Sequence, residues 1–252
     1  MSKVFWRFCL SAAATVLLAG CATSGSASSR ASAEQPGRQD ALRMIKASRG
    51  TLAPVYGPLA EHIVTAFHLD DKTGIGIDVG SGPGTLIIEL CERTPMHWIN
   101  ADINPHFFPH FYADAEKRGL GHRVSAVFAD AQALPFRDNF ADIIVSRGSF
   151  HLWQDKAKAF AEIYRVLKPG TVAYIGRGFS ENLPLETAKK IRAGQGGGPK
   201  YDVNETADQL QQIVNELGIK DFRIHRPKSD APVNYGVWIE FHKPAEQQPT
   251  RQ

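Results

Sequence analysis

Three glycines at alternate positions, Gly80, Gly82 and Gly84 in the stretch IDVGSGPGT, leave a short backbone with little side-chain cover. Such a loop turns sharply and comes close to a ligand. A helix starting just after it, near Thr85, would add unpaired N–H groups for an anionic or polar group. Two acids follow at regular positions: Asp102 closes HWINAD, 22 residues after Gly80, and Asp130 closes VSAVFAD, with Ala131 and Leu134 just beyond. An acid at the end of the second strand of an open parallel sheet is where ribose hydroxyls find an acceptor. A dinucleotide loop would carry a third glycine where Thr85 stands; the spacing here is G-x-G-x-G. Taken singly, the glycines could be a tight turn without ligand, and each acid a helix N-cap.

These residues need strands to hold them. From Gly74 onward short apolar runs alternate with amphipathic segments: GIGIDVG, TLIIELCER, HWINAD, VSAVFAD, FADIIVSRG, KAKAFAEIYRVLK and TVAYIGRG. Strand, helix and strand in turn predict an α/β fold, a parallel sheet with helices on both faces. The tail departs from that beat. A helical ETADQLQQIVNELG precedes DFRIHRP and NYGVWIEFHK, expected as an antiparallel pair at the sheet edge joined by a short Pro/Asn-containing loop. Before Gly74, residues Gln39 to Phe67 predict two short helices interrupted at Pro54 and Pro58.

The blocks IDVGSGPG, NADINPHF and FADAQALPFRDNFADIIVSRGSFHLWQDKAKAFAEIYRVLKPG resemble the class I S-adenosylmethionine-dependent methyltransferases, particularly the type 11 group with its ubiquinone/menaquinone-type enzymes. The resemblance covers roughly Asp40 to Lys243, within a domain drawn at 39–245. It implies a Rossmann-like seven-stranded, mostly parallel sheet of order 3-2-1-4-5-7-6 with the last strand antiparallel. It also implies that Asp78, Gly80, Ser81, Gly82 and Gly84 hold the methionine part of S-adenosyl-L-methionine, and Asp102 its ribose. Ile103 would pack on the adenine, Asp130 would accept from its amino group, and Ala131 would offer backbone contact. Ser146 and Arg147 fall where cofactor meets substrate. Thr171 departs from the family's usual second glycine after Lys168-Pro169-Gly170, the turn that is expected to end the helix before the fifth strand.

Methyl transfer from a sulfonium needs alignment and dehydration more than protein functional groups. A protic nucleophile would also need a base. His151, just after the fourth strand, is placed for that role and could titrate near neutral pH, though packing or loop orientation would equally account for it. Tyr56, in the N-terminal helical region, is a further candidate contact. His106 and His110 stand four apart, as metal ligands can, but no acidic or cysteine partner lies at ligand spacing; an aromatic-rich helix start is favoured and no metal is expected. The segment FSENLPLETAKKIRAGQGGGPKYDV, 179–203, is longer than a plain connection. Its Lys189, Lys190, Arg192 and Lys200 could close over an acidic substrate, and a solvated helix face is the favoured alternative.

The chain has 252 residues, 43% of them hydrophobic, enough for one large core. Its formal charge is +3, two of which, Lys3 and Arg7, lie in a leader without acids, so neither nucleic acid nor a charged membrane surface is implied as a partner. A small-molecule acceptor is expected. Residues 1–20 combine that basic start with an apolar run from Phe8 to Ala19, too short to span a bilayer comfortably, and LAGC ending at Cys21. That ending resembles a bacterial lipobox, which implies lipidation of Cys21, membrane attachment through the lipid alone, and a cell-envelope location. Residues 21–38 read as a Ser/Ala/Gly-rich tether and 246–252 as a disordered tail. Export raises a conflict, because the cofactor is charged and made in the cytoplasm. Two alternatives follow: an exported ligand-binding lipoprotein without catalysis, and a cytoplasmic enzyme translated from near Met44.

Overall fold

The computed structural model describes residues 26–195 and 201–245, with side chains from residue 37 onward. The leader, Cys21 and the 246–252 tail lie outside the described residues. The chain divides into two compact units, 1–36 and 37–252. A helix, α1, spans Ser26–Arg49, so helical backbone begins within the segment that composition assigns to a tether. The low apolar content of that segment leaves no periodic stripe to read in the sequence. Then α2 spans Ala53–Ala66, with Pro54 in its first turn and Pro58 tolerated inside. No described helix is long and apolar enough to cross a membrane.

From Ile75 the elements alternate: β1 Ile75–Val79, α3 Thr85–Arg93, β2 His97–Asp102, α4 Phe108–Lys117, β3 Val124–Phe128, β4 Ala141–Arg147, α5 Lys156–Val166 and β5 Leu167–Gly178. After these come α6 Leu185–Gly194, α7 Val203–Glu216, β6 Phe222–His225 and β7 Gly236–His242. The seven strands form one sheet in the order β3-β2-β1-β4-β5-β7-β6, parallel except for β7, which runs against both neighbours. This is the sheet the sequence implied.

Both faces are buried, which is why the strands read as apolar runs rather than as alternation. Successive residues nonetheless serve opposite cores. Ile144, Ala173 and Ile175 pack with Phe160, Ile163 and Leu210 from α5 and α7, while Ile143, Val145 and Tyr174 pack with Leu59, Ile63 and Ile87 from α2 and α3. With the strands fixed from both sides, their carboxyl ends and the loops after them become a rigid rim.

Two local expectations change. Helix α5 ends at Val166, and Lys168-Pro169-Gly170 already belongs to β5 rather than closing the helix. Thr171, in place of the family's glycine, donates its hydroxyl to Lys168 O at 2.7 Å and so closes the turn itself. The connection from β6 to β7 runs over 226–235, not a short hairpin loop. Its Asn234 carbonyl is held by Arg192 of α6, so the loop length serves a contact outside the hairpin.

Candidate functional site

The rim at the carboxyl ends of β1, β2 and β4 holds a cavity of about 840 Å³. Its floor is the loop after β1. Gly80 has φ +70° and Gly84 φ +73°, a region that favours glycine, and each also lacks room: a Cβ at Gly80 would collide with Ser149, and one at Gly84 with the Phe111 ring. Gly84 caps α3, aiming the helix N-terminus, and does not itself line the cavity.

Strand β2 clamps this loop. Gly82 N–H donates to Asp102 Oδ2 at 2.7 Å, Asn100 Nδ2 donates to Gly82 O at 3.0 Å, and Gly80 N–H donates to Ala101 O at 2.7 Å. Asp102 Oδ1 accepts from Asn104 N–H at 2.8 Å. Each carboxylate oxygen keeps capacity for one more donor. Burial pushes the Asp102 carboxyl up, opposed by the amides of Asn104 and Gly82.

Asp78 lies deeper. Its Oδ2 accepts from Ser81 Oγ at 2.7 Å, whereas its Oδ1 is buried without a partner. Burial raises its pKa to about 7, against the Ser81 hydrogen bond; the Asp102 charge adds to the rise and Arg147 opposes it. A buried acceptor with no donor is a place for a ligand's cationic or N–H group. Asp130, at the opposite end, is held ionised by the backbone and side-chain N–H groups of Gln132, at 2.9 and 3.1 Å, which lower its pKa. Ile103 and Leu152, 61% and 70% exposed, add apolar surface to the lining of the same cavity. Asp78, Gly80, Ser81, Gly82, Asp102, Ile103, Asp130 and Ala131 thus meet in one cavity, joined by Tyr56, Arg147 and His151.

Ser146, like Gly84, does not join them. It is fully buried, its hydroxyl 2.6 Å from Ser149 Oγ, and it lies outside the cavity lining. Ser149 takes the lining position, donating to Val79 O at 3.0 Å and filling the space that Gly80 leaves open. His151 also departs from expectation. Burial, with Arg177 and Lys156 adding to it, pulls its pKa down to about 4, so the imidazole is neutral and weakly basic at physiological pH. Its Nδ1 is buried without a partner.

The charge run of the 179–203 segment splits. Lys189 and Lys190 are exposed, but Arg192 is buried and lines the cavity with Gln195, the residue just after α6. Arg177 at the end of β5 and Tyr201 line it too. Residues 196–200, including Lys200, lie outside the described residues. In the His106–His110 run, Phe107 and Phe111 are buried and pack the start of α4. No group of three or more potential metal ligands occurs among the described residues.

A profile described as "Methyltransferase domain" matches residues 77–175. A crystal structure from Methanococcus maripaludis, described as that of "a putative s-adenosyl-l-methionine-dependent methyltransferase", is 31% identical; the alignment covers 84% of this chain and 95% of that one, with a TM-score of 0.73. A demethylmenaquinone methyltransferase of Thermus thermophilus is 39% identical over 95 residues, 37% of this chain and 42% of that protein. A malonyl-[acyl-carrier protein] O-methyltransferase of Geobacter sulfurreducens is 36% identical over 154 residues, 59% of this chain and 56% of that protein. The chain therefore spans about half the length of these two curated relatives.

Proposed function

Because the chain belongs to the S-adenosylmethionine-dependent methyltransferases, we propose that it transfers a methyl group to a small-molecule acceptor seated in the cavity at the strand ends. The carrying observation is the loop of 80–84 with its acids. Asp78 Oδ1, buried and unpartnered, would hold the methionine ammonium, and Asp102, already bonded to Gly82 and Asn104, would accept from the ribose hydroxyls. Ile103 and Leu152 would flank the adenine, with Asp130 and Ala131 at its edge. The cofactor supplies the electrophilic methyl when bound. The chain's own work is then alignment and dehydration: a preset loop, an apolar slot and a cavity within the ~300–1,000 Å³ range of small-molecule sites. A neutral His151 could orient an acceptor by hydrogen bonding; with a pKa of about 4 it is a poor proton acceptor at neutral pH.

The test is calorimetry of S-adenosylhomocysteine with the purified protein, followed by transfer of labelled methyl to a panel of small acceptors. Micromolar binding and label transfer are expected. Absence of binding at millimolar ligand would overturn the proposal.

We further propose that the enzyme is exported and held to the cell envelope through lipid on Cys21. The lipobox-like LAGC supports this. Residues upstream of Met44 take part in the folded unit, which counts against a start at Met44: Asp40 lines the cavity, Ala41 packs with Ile45 and Phe107, and Gly37 O accepts from Asn104 Nδ2 at 2.9 Å. A chain begun at Met44 would lose all three. Radioactive palmitate should label the protein in a globomycin-sensitive way and fail to label Cys21→Ala; equal labelling of the two would remove the anchor.

A further inference from the structure

Along the carboxyl edge of the sheet the charges of the cavity are sorted. Asp78 stands near the end of β1, Asp102 ends β2 and Asp130 follows β3, whereas Arg147 ends β4, Arg177 stands next to the end of β5, and Arg192 reaches in from α6. Elsewhere some arginines find carboxylates, as Arg165 does in Asp138 and Glu162, Arg49 in Asp114, Arg118 in Glu92 and Arg223 in Glu240, whereas Arg123 bonds carbonyls and Arg226 an amide. Among the described residues, the three at the cavity form no ion pair.

What holds them instead is neutral. Arg192 donates to Asn234 O at 2.8 and 3.0 Å and to Gln195 Oε1 at 3.0 Å, with its guanidinium 4.2 Å from the Phe179 ring centroid. Arg177 lies over the Tyr201 ring at 4.0 Å, and Arg147 over Tyr56 at 5.3 Å with long contacts to Gly178 O at 3.3 and 3.4 Å. Aromatic faces and carbonyls position the guanidinium planes without a carboxylate in contact, and only Arg147 acts on an acid of the cavity, Asp78, from a distance; an unpaired charge is costly in a partly dehydrated cavity. Burial lowers the pKa of both Arg177 and Arg192, and for Arg192 the nearby Arg147 and Arg177 add to it. The cofactor carries one carboxylate, which can satisfy one of the three.

Resting on the methyltransferase reading above, we propose that the acceptor is an anionic small molecule whose oxyanion, a carboxylate or phosphate ester, binds between Arg177 and Arg192. Tyr201 supplies a ring beside the anion, and Phe179 and Leu52 line the wall for an apolar body. Guanidinium forks match both oxyanions, and the charge compensates what the fold leaves open.

The experiment is calorimetry on the full protein saturated with S-adenosylhomocysteine, titrated with benzoate, hexanoate and phenyl phosphate beside their neutral counterparts benzamide, hexanamide and phenol. At least one oxyanion is expected to bind about tenfold or more tightly than its counterpart, since a charge-assisted hydrogen bond carries that discrimination; which pair discriminates separates carboxylate from phosphate. Arg177→Gln should erase the preference while S-adenosylhomocysteine affinity stays within about twofold. This variant carries the test because the Arg177 side chain makes no ion pair and only stacks on Tyr201, so the fold, checked by circular dichroism, is retained. Arg192→Gln should reproduce the loss. Equal binding of acids and neutral counterparts, or an undiminished preference in both variants, would overturn the oxyanion pocket. The same titrations without S-adenosylhomocysteine decide the pocket even where the cofactor itself fails to bind.

Discussion

Asp102→Ala is expected to weaken S-adenosylhomocysteine binding by about 100-fold, because one carboxylate does two jobs. It accepts Gly82 N–H at 2.7 Å and Asn104 N–H at 2.8 Å, fixing the floor of the cavity, and it would accept the ribose hydroxyls. Hydrogen bonds to a charged group contribute about 1.5–3 kcal/mol each, so losing the ribose contacts alone accounts for the predicted effect. The loop N–H groups, left without an acceptor in a buried position, add a reorganisation cost. Asp102→Asn separates the two jobs: an amide oxygen can still accept from one loop N–H, but its NH2 faces the other donor, so affinity should fall by an intermediate factor. Calorimetry on the three proteins measures this ordering. Binding by Asp102→Ala equal to the parent would remove Asp102 from the cofactor site.

Legibility in the sequence follows how local each cause is. The sheet could be read because strands buried on both faces must be mostly apolar, as IGIDV and ADIIV are but for Asp78 and Asp142, and because each is followed by a segment of helical period. The glycine loop, Asp102 and Asp130 were legible because their spacing along the chain repeats the spacing of strand ends along the rim. Ser146 and Ser149 were not separable that way. Ser146 lies at the end of β4 and Ser149 just past it, and only the space left at Gly80, in another strand's loop, decides which one reaches the cavity. Arg192 was hidden for the same reason. On α6 it reads as one more cation beside Lys189 and Lys190, but the Asn234 carbonyl that draws it inward lies 42 positions away in the chain, in the β6–β7 connection. His151 carries no sequence mark of its burial, so its lowered pKa emerges only when Arg177 and Lys156 are placed near it.

The second large effect concerns Asp78, where stability and function pull in opposite directions. Its carboxyl is raised from 3.8 to about 7 by burial, so between those pH values the folded protein holds a proton that the unfolded chain has released. Folding stability is then highest below about pH 4, as far as this group is concerned, and falls as pH rises through the window until it levels off above about 7. The loss is on the order of 4 kcal/mol at most. Asp78→Asn keeps the shape and removes the titration, so in ligand-free protein at pH 8 it should raise Tm, by up to about 10 °C, and at pH 4 hardly at all. Binding should move the other way. A cationic ammonium at the unpartnered Oδ1 needs the ionised form, and the charges facing Asp78, Asp102 and Arg147, act in opposite directions on it. S-adenosylhomocysteine affinity of the parent is therefore expected to drop about tenfold for each pH step below 7 and to be flat above it. The Asp78→Asn protein should bind about 100-fold more weakly at pH 8, with no such pH dependence. Thermal melts and calorimetry across pH 5 to 8 test both halves together. A variant that is less stable at pH 8 than the parent, or that keeps the parent's affinity, would mean that the carboxylate is satisfied within the fold and is not held open for a ligand's positive charge.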